Sequence, residues 1–502
     1  MAVASSSAAL AFQSPPRAAA APAGMPELSA EVRGHDRYQL ELKHDYSLTL
    51  GRSASYEITT YIFIPQSLGI SESTYPADEF YRRTHNYVRL SAAPRPLCHL
   101  VTVGSSGLRA IETAIKSSDV SPELITGRLK LLCNVFRKAL ALEMRRYDVT
   151  SSTESVILIR ELLGNLDEFL DRYRSLGSAV AARSGEAAKA HRLVAERISL
   201  LAENALLETY ALATRRRLDA STQEALRGAI ERESSYRAKL NPILVLSPKG
   251  SNEAYLSRDS FLKKYAESAL YLAAKRKTDG IALEHAVYAV AAGVAMIFAT
   301  GIAFYFQSVF GAFSLPLFAA LVIGYMLKDR IKEIGRFNLG KLLRRRISDH
   351  RTAIRTTDDG RELGLIREAV RFVGPDEIPD SVTQARREPA ATQGGMTLRY
   401  TKRVELGGEV FESAFGAESD IQGVTEILRY DMRPYLYRMD DPKETRLFLE
   451  GDRVRRVRCR KAYEVELVTV FRRIDQVGPE QIASAMVTLD RKGIRRVSAP
   501  QP

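Results

Sequence analysis

Seven histidines and three cysteines are the side chains in this 502-residue chain best suited to metal binding or nucleophilic attack, and their spacing serves neither. The histidines stand at positions 35, 44, 85, 99, 191, 285 and 350. None belongs to an HxxxH or HExxH pattern, which would bring two imidazoles to one helix face at zinc-ligand distance. Cys98 and His99 are adjacent, a poor chelating geometry. Cys98, Cys133 and Cys459 form no CxxC pair and no disulfide framework, which fits soluble regions in a reducing compartment. GxGxxG and GxSxG are absent, and the Lys249-Gly250 pair lacks the spacing of a phosphate loop. Asp358-Asp359 and Asp440-Asp441 lie in turn-like sequence and read as loop solvation. Around a strand, Arg453, Arg455, Arg456, Arg458, Arg460 and Lys461 form a basic run, and alternation puts Arg456, Arg458 and Arg460 on one face. That face is either an anion surface or, more plainly, an edge strand guarded by charge. No catalytic residue, metal ligand or cofactor site is assigned from these patterns.

The distribution of charge says more. The net charge is +13, and between Arg258 and Arg355 sixteen Lys or Arg stand against seven Asp or Glu. Most of the excess therefore brackets one apolar stretch, whereas a nucleic-acid binder more often carries it on a folded domain. Between Ala286 and Leu327 there is no charged residue at all. One helix needs about 20 residues to cross about 30 Å of hydrocarbon. The stretch thus predicts a transmembrane helical hairpin over 284–327, with spans at about 286–306 and 309–327. Gln307, Ser308, Gly311, Ser314 and Pro316 supply the turn. Lys275, Arg276 and Lys277 precede it, and Lys328, Arg330 and Lys332 follow, so the positive-inside rule places both ends in the cytoplasm. With Arg344, Arg345 and Arg346 further along, the flanks also suit anionic lipid headgroups. Within the spans, Ala291, Ala295, Ala299 and Ala303 recur every fourth residue, and Ala320 and Gly324 do the same in the second. Such ridges let helices approach closely, either each other or a second copy of the chain.

Around this hairpin the expectation is an α+β multidomain membrane protein. Residues 1–30 read as a disordered Ala/Pro-rich tail. Residues 31–116 read as a small α/β region. In it YQLELKHDYSLTLG and SYEITTYIFIP alternate as strands, and TYPADEFYRRTHNYVRL reads as a helix. Residues 117–246 turn helical and coiled-coil-like. There Ile159, Leu162, Leu166, Phe169, Tyr173, Leu176 and Val180 step at heptad spacing after a Ser151/Glu154 capping box. An internal bundle is the plainer reading of that seam, and self-association the sharper one. Residues 254–280 suggest a basic amphipathic helix before the membrane, 328–357 a basic helix after it, and 373–395 a linker. Residues 396–500 suggest an antiparallel β domain on the cytoplasmic side.

These features point to a membrane-anchored, non-enzymatic scaffold, sensor or partner-binding module facing the cytoplasm. Its partners would be the bilayer and proteins of unspecified identity. A subunit of an oligomeric channel and a membrane enzyme with an unrecognised site are the alternatives. The uncharged spans argue against a transporter with an intramembrane ion site, and the charge placement argues against nucleic acid.

Overall fold

A computed structural model describes residues 30–498 apart from 103–106, 118–119, 148–151, 312–313, 388–394, 417–419 and 477. The tail and Ser151 of the capping box lie outside these residues. The chain opens with strands β1 (Ala30–Gly34), β2 (Gln39–Ser47) and β3 (Ala54–Ile64), helix α1 (Ala77–Arg83) and strand β4 (Thr84–Ala92). The sequence-predicted helix across residues 74–90 is therefore cut short. Its second half, THNYVRL, holds enough aromatic and β-branched residues to pair as a strand instead.

A run of eight helices follows: α2 (Leu97–Thr102), α3 (Leu108–Lys116), α4 (Pro122–Tyr147), α5 (Ser152–Ser175), α6 (Gly177–Arg183), α7 (Gly185–Arg215), α8 (Ala220–Leu240) and α9 (Glu253–Glu267). Ser184 starts α7 by accepting the amides of Glu186 and Ala187, and Asp219 caps α8 through Thr222. The heptad seam of α5 is buried inside the bundle, with Phe136 and Phe169 stacked at 4.5 Å between ring centres. The seam is thus consumed by the chain's own core.

Next come β5 (Ala273–Thr278), α10 (Ile281–Phe310), α11 (Leu315–Arg346), β6 (His350–Arg355) and β7 (Glu362–Val373). Two expectations are corrected here. The pre-membrane helix stops at Glu267, and residues 273–278 form a strand. The basic arm after the hairpin is helical only to Arg346 and then becomes β6. Both changes have one cause: β5 and β6 pair with each other along their full length. Among the described residues, only Ile281–Phe310 is both long and apolar enough to cross a membrane.

The expected linker contains a short helix, α12 (Asp380–Gln384), whose Val382 packs on Tyr61, Phe63 and Val468. The rest comprises β8 (Met396–Leu406), α13 (Gly408–Phe415), β9 (Ile421–Asp431), α14 (Arg433–Leu436), β10 (Lys443–Glu450), β11 (Arg453–Arg460), β12 (Tyr463–Arg473), β13 (Gln481–Asp490) and β14 (Gly493–Ser498).

Two sheets pack face to face. One has the order β1-β2-β9-β4, and the other β14-β13-β12-β3-β8-β7-β6-β5, with every neighbouring pair antiparallel. The two regions read from sequence as separate domains, 31–116 and 396–500, are therefore one body. β3 lies between β12 and β8, while β9 lies between β2 and β4. Leu40, Leu42, Ile62, Leu398, Val465 and Val487 fill the space between the sheets. Alternation on β3 sends Tyr56, Ile58, Ile62 and Ile64 to that interior. β10 and β11 form a separate two-stranded hairpin, exposed along both strands.

Candidate functional site

The side chains that could do chemistry meet at the base of α10 and α11 and in the sandwich directly beneath. β5 and β6 are the last rungs of the large sheet, and Thr278 pairs with His350. The helical hairpin is thus the loop of an edge β-hairpin. Gly280 begins it with φ of 73°, and a Cβ there would stand 2.6 Å from Ile347. Only glycine allows the outgoing and returning chains to approach this closely.

The pleat divides the basic flank into two groups. Arg276 points into the sandwich. Its guanidinium meets Glu368 on β7, with Nη2 to Oε2 at 2.9 Å and Nε to Oε2 at 3.2 Å, and Glu368 is fully buried. The Tyr400 hydroxyl donates to the same carboxylate. Burial acts to lower the Arg276 pKa, but the Glu368 charge outweighs it and the guanidinium is held above its ordinary value. Arg276 also lies 5.1 Å from the Tyr81 ring centre, and the Tyr81 hydroxyl donates to Asp349 at 3.0 Å. Asp349 additionally accepts from Arg371 at 2.7 Å and from the Val370 amide at 2.8 Å. Both ends of the hairpin are therefore fastened to β7.

A second buried pair continues the seam. Lys402 on β8 places its Nζ 2.9 Å from Glu426 on β9, and the two are 1% and 0% exposed. Tyr46 and Asn86 donate to Glu426, and His44 Nδ1 approaches it to 3.8 Å, longer than a hydrogen bond. Burial alone would raise the Glu426 carboxyl; the Lys402 charge and the hydroxyl of Tyr46 reverse this and hold it well below the carboxylate range. His44 is held below its ordinary value, first by burial and then by Lys402. Across the seam the charges balance. The Lys402–Glu426 pair is sealed, so it ties the two sheets in one register and offers no surface to a substrate.

Lys275 and Lys277 point the other way. With Thr278, Asp279, Arg351 and Arg355 they line an open cavity of about 240 Å³ on the outer face of β5 and β6. A second cavity of about 220 Å³ lies between α5 and α8, but both of its cations are already matched: Arg174 pairs with Glu233 at 2.6 Å and Arg232 with Asp167 at 3.1 Å.

The remaining sequence-predicted residues lie along the two helices. Ala291, Ala295, Ala320 and Gly324 are buried, and Ala299 and Ala303 half-buried, in the seam between α10 and α11. Gly335 contacts Ala291, and Gly324 contacts Ile302. This register sets Lys328, Arg330 and Lys332 beside the middle of α10. Arg330 pairs with Glu333 at 3.3 Å, and Lys328 lies 3.7 Å from the Tyr325 ring centre. Arg344, Arg345 and Arg346 end α11, and their side chains lie outside the described residues. On the exposed two-stranded hairpin, Arg456, Arg458 and Arg460 do share one face.

Sequence reasoning did not single out Glu368, Lys402 or Glu426. A signal existed: each occupies an inward position of an alternating strand, as in Leu398-x-Tyr400-x-Lys402-x-Val404. No protein-family model matches this chain, and no curated protein is similar to it at a significant level.

Proposed function

We propose that the protein is a membrane-anchored scaffold, held at one face of a bilayer by α10 and α11, with the sandwich and helical bundle on the side of the basic flanks. The observation that carries this reading is the outer surface of the hairpin. Ile297, Phe304, Leu315, Phe318 and Met326 are 75%, 67%, 80%, 65% and 66% exposed. A continuous apolar surface of that kind is costly in water and marks a membrane or protein contact.

The register between the helices bears on how deeply the hairpin sits. α11 is free of charge only from Leu315 to Leu327, which at 1.5 Å per residue is about 20 Å. The hydrocarbon is about 30 Å thick. If the turn stopped at mid-bilayer, its unpaired backbone groups would each cost several kcal/mol. If it reached the far surface, Lys328, Arg330 and Lys332 would lie in the near third of the bilayer, where long cations snorkel. Asp329 would there cost less than the roughly 3 kcal/mol of a charge at the centre. The facing ends of α10 and α11 contribute several such backbone groups, along with the polar side chains of Gln307, Ser308 and Ser314. The balance favours a turn at the far headgroups with modest local thinning. The basic flanks then face the cytoplasm by the positive-inside rule.

The scaffold part of the reading is supported by the seam. Its two acids are neutralised by Arg276 and Lys402 inside the sandwich, which suits a rigid body carrying partners more than a reaction centre. Flotation of the full chain with phosphatidylcholine vesicles tests the anchor. The protein is expected to float and to stay with the vesicles through high-salt and alkaline washes, and Phe304→Asp with Phe318→Asp to release it. A wild-type chain that stays soluble and monodisperse without detergent or lipid contradicts the reading.

A further inference from the structure

We propose that the basic cavity on the outer face of β5 and β6 binds a phosphomonoester group, the chemistry shared by phosphoinositide headgroups and small soluble phosphate esters. Four cations converge there from two paired strands. In the ladder Lys277 stands opposite Arg351, Lys275 opposite Ala353, and Ala273 opposite Arg355. Ala353 leaves the space that makes the cavity, and the cations rim it. Like charges directly opposite each other destabilise a strand pair, so this rung is unfavourable until an anion bridges it. Arg355 has a carboxylate partner, Glu362 at 3.0 Å. Among the described residues Lys275, Lys277 and Arg351 have none. The one acid on the rim, Asp279, is turned to the Gly280 amide, which it accepts at 3.0 Å. The site thus offers Arg351 for planar, two-pronged contact and two lysines as point charges, a combination suited to phosphate oxygens.

Position supplies a source without a separate assumption: only Asp279 and Gly280 separate Thr278 from Ile281, where α10 begins. This extends the membrane reading, because an inserted hairpin holds the cavity on the near side of the bilayer, roughly 15 Å outside the hydrocarbon, where headgroup phosphates that protrude from the surface are within its approach.

Cosedimentation of the full chain with phosphatidylcholine vesicles, with and without phosphatidylinositol 4-phosphate, tests the lipid arm. Titration of soluble inositol trisphosphate into the full chain in detergent micelles tests the free-phosphate arm. Lys277→Gln with Arg351→Gln is expected to lower phosphate-dependent binding about five-fold per charge removed, with binding to neutral vesicles unchanged. Ala353→Leu, which fills the cavity and leaves the charge alone, should lower it too. Arg456→Gln with Arg458→Gln, on the exposed β-hairpin, should leave it intact. Selective loss in the lipid arm supports a headgroup, and selective loss in the soluble arm alone supports a small phosphoester. Equal loss in the matched arginine pair, or no response to either probe, overturns the site. Failure of the wild-type chain to bind neutral vesicles contradicts the anchor instead, and the soluble arm still reads the cavity.

Discussion

Thr278 and His350 face each other on the end rung of the β5–β6 ladder, so the helical hairpin leaves the sheet and returns to it at one point. Everything before and after that rung is built into the same sandwich. Motion of the hairpin relative to the sandwich must therefore pass through a single edge strand pair and the side chains that clamp it.

Arg276 is the clamp on the outgoing side. Arg276→Gln leaves Glu368 as a buried carboxylate with only hydroxyl and amide partners, at an expected cost of about 3–5 kcal/mol. Thermal unfolding in detergent should show a clear drop in Tm, and Glu368→Gln in the same chain should recover much of it. An unchanged Tm in the single variant would refute the clamp.

Lys402 and Glu426 should behave as one unit. Lys402→Met strands Glu426 between the sheets and is expected to destabilise by about 3–5 kcal/mol, whereas Lys402→Met with Glu426→Gln should approach wild-type stability. A double-mutant cycle in denaturant measures the coupling. Simple additivity of the two substitutions would rule out the pairing.

Acid should weaken the fold in two steps. His44 is held below its ordinary value of 6.5, so as the pH falls below 6.5 the unfolded chain takes up a proton that the folded chain refuses. Stability is therefore present above that value and lost as the pH falls. Glu426 is held below its ordinary 4.5, so its contribution is present above 4.5 and erodes below it. Tm measured against pH should decline from about 6.5 downward, and His44→Gln should flatten the upper part of the decline and keep the lower. A Tm that rises on acidification would contradict both assignments.

Gly335 tests the packing of the two helices. A Cβ at this position would lie 3.2 Å from the Cβ of Ala291. Gly335→Leu should push α11 off α10 and cost about 1–3 kcal/mol, seen as a lower Tm in micelles. A stabilised variant would mean that the helices do not meet there.

Much of this fold was legible from residue patterns, and the misses share a cause. Strands such as Ala54–Ile64 and Tyr463–Arg473 declare themselves by alternation and β-branched content, and the bundle helices by their periodicity. β5 is different. AAKRKT has no apolar face, and only its ladder with β6 makes it a strand. The joining of the two terminal regions into one sandwich is likewise a matter of long-range pairing, between Ile62 and Leu398 or between Leu42 and Leu428, which local sequence does not encode. At the site, Lys275, Arg276 and Lys277 read as one uniform basic cluster. The pleat separates them, turning Arg276 inward to a carboxylate and its two neighbours outward to the cavity. Arg351 and Arg355 join that cavity only because β6 folds back beside β5.

Thiol accessibility at the turn is the most direct measurement. With Cys459→Ser removing the exposed native thiol, Ser314→Cys is reconstituted in sealed vesicles and treated with a membrane-impermeant maleimide. The hairpin described above makes this thiol react only from the side opposite the sandwich, while Cys459 in the otherwise unaltered chain reacts only from the sandwich side. Protection of Ser314→Cys from both sides, or labelling of both thiols from the same side, contradicts a membrane-crossing hairpin.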